Sequence, residues 1–286
     1  VLTLRNVSAG FPFRRGVFSS TGFKTIVHNI SFDIPRGTTL GLVGESGSGK
    51  TTIGRAILGL VPLSGGTIHV SLKNYGDSVV DPLSGQMEKR YGAREFDLTP
   101  GSWKGLRPLR QRMQIIFQDP YSSLNPRMRV SELMTEALAV HEPQLSQTDR
   151  IARCTRTLDR VGLSAAALNR YPHEFSGGQR QRISIARALV LEPEFIVCDE
   201  CVSALDVSIQ AQIINLLREL QTELGLTYLF ISHDLAVVRH ISSQVCVLSQ
   251  GRIVEQGPAA NVLRNPQNDY TRRLLAAVPS LIPSRV

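Results

Sequence analysis

Residues 1–37 alternate apolar and polar positions, as in Thr3-Leu4-Arg5-Asn6-Val7 and Ile26-Val27-His28-Asn29-Ile30-Ser31-Phe32. That is the period of a half-buried antiparallel sheet. Between these runs, Gly10-Phe11-Pro12-Phe13-Arg14-Arg15-Gly16 predicts a loop rich in aromatic and basic residues. The stretch 39–43 reads as a short buried strand and 52–60 as a helix. Ser64-Gly65-Gly66 marks a turn and 67–72 another strand. Residues 73–105 are polar with little periodicity and predict a surface excursion. Gln114-Ile115-Ile116-Phe117 is a short buried strand that ends at Gln118.

The character changes over 119–175. Loop chemistry in Asp119-Pro120-Tyr121-Ser122-Ser123-Leu124-Asn125-Pro126-Arg127 precedes two helical stretches, near 130–140 and 148–161. A small helical subdomain inserted into an α/β core is expected here. From Phe175-Ser176-Gly177-Gly178-Gln179 a helix opens, with Ile183, Ala186, Leu189 and Val190 on one face. Phe195-Ile196-Val197-Cys198 is a fully apolar strand leading into Asp199-Glu200, and Ile209, Ile213, Leu216, Leu217 and Leu220 stripe the next helix. A strand at 227–232 runs into His233-Asp234. Strands near 245–248 and 253–255 precede a proline-punctuated tail. Alternating strands and helices imply a mainly parallel sheet, whose chemistry gathers at the carboxyl ends of its strands. The expected division is 1–118 and 176–257 as core, 119–175 as helical subdomain and 258–286 as tail.

One stretch organises the rest. Gly44-Glu45-Ser46-Gly47-Ser48-Gly49-Lys50-Thr51 is a complete match to the phosphate-loop pattern G-x-x-x-x-G-K-[ST], placed between a predicted strand and a predicted helix. Glycines let backbone N–H groups close around an anion, and the helix behind adds its positive N-terminal end. Residues 44–52, Thr52 included, are expected to hold the phosphates of a nucleoside triphosphate. Lys50 would reach the β- and γ-phosphates, and the Thr51 hydroxyl would sit on Mg2+.

Gln118, Asp199, Glu200 and His233 all follow predicted strands, as the phosphate loop does. Asp199 can hold the Mg2+ shell, Glu200 can act as base toward the attacking water, Gln118 can bridge metal and water, and His233 can donate to a γ-phosphate oxygen. Singly, each also reads as a cap, a turn or a satisfied core histidine; together with the loop they read as a site. Phe11 can stack on a nucleobase or, like Phe13, cover a core edge. Ser176 and Gln179 also form a capping-box pattern, compatible with a functional role.

Composition narrows little further. The net charge of +8, from 32 basic and 24 acidic residues, suits nucleic acid, an anionic membrane surface or a phosphate-handling domain. No apolar stretch is long enough to cross a bilayer, and the first residues do not resemble a signal peptide, so a cytosolic or cytosol-facing chain is expected. Cys154, Cys198, Cys201 and Cys246 are too few and scattered for a disulfide framework, and the Cys198–Cys201 spacing reads as coincidence. The missing initiating Met fits trimming or a segment of a longer polypeptide.

The order of these motifs resembles the ATPase subunit of an ABC transporter over nearly the whole chain. Ser176-Gly177-Gly178-Gln179 is similar to the family signature, with Phe175 where Leu is usual. Gln118 corresponds to the Q-loop, 195–199 to the Walker B strand, Ser203-Ala204-Leu205-Asp206 to the D-loop and His233 to the switch histidine; Asp206 can also cap the helix that follows. The resemblance implies an α/β P-loop ATPase with an N-terminal antiparallel β subdomain and an inserted helical subdomain. It also implies head-to-tail pairing, with ATP between Lys50 of one domain and Ser176–Gly178 of the other, and permease subunits as partners. Phe11 falls near the family's base-stacking position.

Residues 117–126, 204–212 and 265–275 resemble the dipeptide/oligopeptide importer group, which also handles nickel and other small solutes. That group implies a solute-binding protein as an indirect partner and no nucleic acid. Two departures stand out: the 73–105 excursion is longer than usual, and no cysteine-bearing extension follows Pro283, so no iron–sulfur cluster is expected. The rival class is a soluble ATPase of the same type acting on ribosomes or nucleic acid, favoured only by the +8 charge. A degenerate, non-hydrolysing partner is disfavoured by intact Glu200, His233 and Ser176–Gln179.

Overall fold

A computed structural model describes residues 2–14, 21–80, 87–98 and 107–277. Strand β1 (Leu2–Arg14) pairs antiparallel with β2 (Thr21–Ile34). The alternation that predicts the pair slips by one residue between Leu4 and Val7, yet Leu2, Leu4, Val7 and Ala9 are all buried. A register shift there absorbs the extra residue, with Asn6 at φ 50 and Asn29 on β2 at φ 53. Asparagine tolerates this left-handed geometry better than most side chains.

The chain then enters β3 (Thr39–Val43), helix α1 (Lys50–Ile57) and β4 (Leu63–Val80). Strand β4 pairs with β1 on one side and with β5 (Met87–Asp97) on the other, so the first sheet runs β2-β1-β4-β5. Helix α2 (Arg107–Arg112), β6 (Met113–Ile116), α3 (Pro120–Ser123), α4 (Val130–His141) and α5 (Gln147–Arg160) follow. The remainder is α6 (Gly177–Leu189), β7 (Phe195–Asp199), α7 (Val207–Leu224), β8 (Thr227–Ile231), α8 (Leu235–Ile241), β9 (Gln244–Ser249), β10 (Arg252–Pro258), α9 (Ala259–Arg264) and α10 (Asp269–Ala276).

The second sheet runs β10-β9-β3-β8-β7-β6, parallel throughout except for the β9–β10 hairpin. Every residue of β3, β7 and β8 is buried, as befits strands covered on both faces. Val197, Leu229 and Ile231 face a core shared with α1 and the first sheet. Ile196, Cys198, Tyr228 and Phe230 face the opposite core, built with helices α4 to α8. Adjacent strands β3, β8, β7 and β6 thereby deliver the phosphate loop, His233, Asp199–Glu200 and Gln118 to one edge of one sheet.

Four expectations need correction. Residues 73–80 continue β4 and 87–97 form β5, so most of the predicted excursion is a paired hairpin; 81–86 and 99–106 lie outside the described residues. Gly10–Arg14 belongs to β1 and pairs with 21–25 of β2 rather than forming a loop. Gly66 lies within β4, not in a turn: its φ is 82, and a Cβ there would stand 2.4 Å from the Asn6 carbonyl oxygen. The tail folds into two helices, with Asn268 capping α10 by accepting from the Tyr270 N–H at 2.8 Å. Among the described residues no helix is long and apolar enough to cross a membrane.

Candidate functional site: a phosphate loop at the carboxyl edge of the parallel sheet

The loop that leaves β3 closes on itself through Lys50. This side chain is only 4% exposed, and its Nζ donates to the carbonyl oxygens of Gly44 and Glu45, each at 2.8 Å. Burial lowers the Lys50 pKa, while the nearby Glu200 and Asp199 charges oppose that shift. Gly49 caps α1 at φ 105, where a Cβ would stand 2.5 Å from Val27 Cγ1. It brings no side chain to the helix end, so the first-turn N–H groups have no side-chain cap. The loop is braced from outside: the Gly251 N–H donates to the Ser48 carbonyl at 3.0 Å and the Glu45 N–H to the Tyr270 hydroxyl at 3.1 Å. Uncapped N–H groups beside a buried ammonium form a cradle suited to a polyanion.

Beside the cradle, the Thr51 hydroxyl donates to Asp199 Oδ1 at 2.8 Å. Asp199 is buried, and that burial raises its pKa; the Thr51 hydrogen bond and the Arg55 and Lys50 charges pull the other way. Glu200 sits at φ 49, with its N–H bound to the Ile231 carbonyl at 3.0 Å and its own carbonyl accepting from the Ser203 hydroxyl at 2.8 Å. This bend turns its carboxylate toward His233, whose Nδ1 lies 3.1 Å from Glu200 Oε2. Gln118 is exposed on the wall of a cleft of about 470 Å3, together with Thr51, Arg55, Phe117, Asp119 and Asp199. Among the described residues no group of three His, Cys, Asp or Glu side chains could hold a metal. Thr51 and Asp199 offer two oxygens, which suits Mg2+ brought with phosphates and water rather than a protein cage.

Other predicted residues lie elsewhere. Glu45, Ser46 and Gly47 are exposed and Ser48 buried, on a second cleft of about 520 Å3 shared with Tyr270 and Arg273. Thr52 occupies the first turn of α1. Ser176 caps α6: its hydroxyl accepts from the Gln179 N–H at 3.3 Å, and its N–H donates to Gln179 Oε1 at 3.0 Å. Ser176 and Gln179 are exposed, Gly177 and Gly178 half-buried, and none of the four lines either cleft. Asp206 stands at the N-cap position of α7 but makes no capping bond, and neighbouring Val207 is 80% exposed. Phe11 is exposed on β1 opposite Lys24; the residue packed against Gly49 is Val27 of β2.

A family model described as "ABC transporter" matches residues 27–203. The chain belongs to the ABC transporter family. Among its curated relatives, the glutathione import ATP-binding protein GsiA of Escherichia coli (strain K12) is 50% identical over 286 residues, covering all of this chain and 42% of that protein. The Salmonella typhi protein of the same name is also 50% identical, with the same coverage. This chain thus spans less than half the length of those relatives. The fold matches a dimeric, post-hydrolysis ATP-binding cassette, MJ0796, bound to ADP and Pi, with TM-score 0.69 and 24% identity over 91% of this chain and 99% of that one. It also matches CbiO1 from Clostridium perfringens, part of the ABC transporter complex CbiONQ, with TM-score 0.70 and 25% identity over 98% and 96%.

The α/β fold expected of an ABC cassette is therefore the fold found. Two residues at the site escaped the sequence reading. Arg55 stands four residues after Thr51, one helical turn on, so its place in the Asp199 cleft was legible from spacing. Tyr270 lies 225 residues from the Glu45 N–H it accepts, and no local pattern announces such a contact.

Proposed function

We propose that this ABC cassette binds and hydrolyses ATP with Mg2+ to drive a membrane importer, and that the cargo is a di- or oligopeptide. The observation that carries the reading is the convergence of Lys50, Thr51, Asp199, Glu200, His233 and Gln118 on one sheet edge while Ser176–Gln179 face solvent elsewhere. One chain holds two half-sites, and a head-to-tail partner would complete each. Bound Mg2+ would offset phosphate charge and orient the γ-phosphate. Lys50 and the loop N–H groups would hold the phosphates, Thr51 and Asp199 would hold the metal shell, and Glu200 would take a proton from the attacking water. His233, 3.1 Å from the Glu200 carboxylate, would steady it and donate to a γ-phosphate oxygen, and Gln118 would offer an uncharged hydrogen-bonding group to the metal's water shell. Ser176 to Gly178 of the second cassette bring a further helix N-terminus, and Asp206 lies on the exposed approach to it. Phe11 remains the candidate for base stacking.

A groove of about 380 Å3 beside β6, lined by Leu60, Ile115, Phe117, Leu133, Ala137 and Val140, supports the permease contact. Leu60 and Val140 are 53% and 46% exposed there. The groove lies one residue from Gln118, between the core and the helical subdomain of residues 119–175, so an inserted permease segment would touch both. In this reading the cassette works on the cytoplasmic face of the membrane, with a solute-binding protein as an indirect partner. The GsiA relatives favour a peptide-like cargo such as glutathione over nickel. They also extend beyond the match by more than this chain's length, which leaves room for a second cassette.

The test is phosphate release and co-purification from gently solubilised membranes. Glu200→Gln is expected to abolish turnover while ATP-bound dimers accumulate, and permease subunits are expected to co-purify. Undiminished hydrolysis in that variant would remove Glu200 from its role; recovery only with ribosomes or nucleic acid would overturn the transporter reading.

A further inference from the structure

The peptide unit joining Gly44 to Glu45 is held at both ends. Its carbonyl oxygen accepts from Lys50 Nζ at 2.8 Å, and its N–H donates to the Tyr270 hydroxyl at 3.1 Å. Tyr270 is itself fixed. The Asn268 side chain accepts from the Tyr270 N–H at 2.8 Å, and the Glu255 carboxylate of β10 accepts from the N–H groups of Gln267 and Asn268 at 2.8 and 3.2 Å. Tyr270, Leu274 and Leu275 pack against the core below. A series of hydrogen bonds thus runs from β10 through α10 to the Gly44–Glu45 peptide, whose carbonyl meets Lys50 and whose N–H meets the tail.

We infer that Tyr270 is a positioning residue for the phosphate loop: by holding the Glu45 N–H, it orients the Gly44 carbonyl that aims Lys50. A peptide plane rotates as one unit, so fixing its N–H fixes its carbonyl. Without the hydroxyl the plane is free to turn, and the Lys50 ammonium loses one of its two carbonyl anchors before nucleotide arrives. Tyr270 and Arg273 of α10 line one cleft with the exposed loop tip, so α10 stands beside the loop. This role rests on the ATP-binding reading above, and it gives the tail a part in nucleotide binding.

The test titrates ATP and ADP into the full-length protein by calorimetry, comparing wild type, Tyr270→Phe and Leu275→Ala, with melting followed without nucleotide. Tyr270→Phe removes only the hydroxyl, and is expected to weaken both nucleotides roughly three- to tenfold, the net worth of one neutral hydrogen bond, with melting nearly unchanged. Leu275→Ala trims a packing contact of the same helix, and is expected to lower melting with nucleotide affinity unchanged. Equal affinities of wild type and Tyr270→Phe would overturn the inference alone. So would a loss of affinity in Leu275→Ala as large as in Tyr270→Phe, which would mark general loosening of α10. A wild-type protein that binds neither nucleotide would overturn the ATPase reading itself.

Discussion

The Asp199 carboxylate sits where a charge is expensive, buried at the end of an apolar strand with the Thr51 hydroxyl donating to it. Its pKa is raised chiefly by burial. The folded state therefore holds this proton more tightly than the unfolded chain does. Stability falls as pH rises from the ordinary aspartate range through the raised value, and the penalty persists at neutral pH. Asp199→Asn keeps an acceptor for Thr51 and removes the charge. At pH 7, nucleotide-free Asp199→Asn is expected to be more stable by about 1 kcal/mol, the gain shrinking as pH falls through the raised value and vanishing below the ordinary aspartate range, while ATP hydrolysis drops by roughly a hundredfold or more. Melting curves across pH with a phosphate-release assay check this; a variant less stable at neutral pH would refute the cost assigned to Asp199. Site residues that follow buried strands, Asp199 among them, were legible because strand ends mark the functional edge of a parallel sheet. Asp206 was legible only as two alternatives, and the missing cap bond now leaves its side chain without that local task.

At the scale of elements, neighbouring strands β1 and β4 of the first sheet meet through close backbone approach as well as apolar packing. Gly66 shows the limit: at φ 82 its absent Cβ would stand 2.4 Å from the Asn6 oxygen and 2.6 Å from the Arg5 oxygen. Gly66→Ala meets backbone on β1, which cannot step aside as a flexible side chain would. The variant is expected to lose about 2 kcal/mol or more of stability, seen as a lower urea midpoint at unchanged slope. An unchanged midpoint would show that β4 can shift freely from β1. Buried strands and amphipathic helices of this fold were readable because burial imposes a period: the stripe Ile213, Leu216, Leu217 and Leu220 on α7 is buried as its spacing requires. The β4–β5 pairing was not, since residues 73–97 form a polar run with little periodicity, and backbone pairing along a neighbouring strand demands none. Helix α10 was obscured for another reason. Its start is fixed by Asn268 and by Glu255 from a distant strand, a tertiary contact that leaves only a weak mark on the sequence.

For the molecule as a whole, the separation of the phosphate-loop cleft from the signature residues is the decisive fact. Ser176–Gln179 form a satisfied helix cap that faces solvent, so nothing within the described residues of one chain brings them to Lys50. If each working site takes its loop from one chain and its signature from another, hydrolysis per chain should rise with protein concentration until pairing saturates. The same geometry allows a stricter test with two inactive variants. Lys50→Ala destroys the loop and spares the signature; Ser176→Arg places a bulky side chain at the signature and spares the loop. Each alone has only broken sites. A head-to-tail mixed pair contains one site built from the intact loop of one chain and the intact signature of the other. Mixing equal amounts is therefore expected to restore hydrolysis to at most roughly a quarter of the wild-type rate, since random pairing makes half the dimers mixed and each holds one good site of two. Phosphate release measured before and after mixing decides it. A rate no greater than the sum of the separate variants would mean that loop and signature do not meet across chains, and the exposed cap on α6 would then need another purpose.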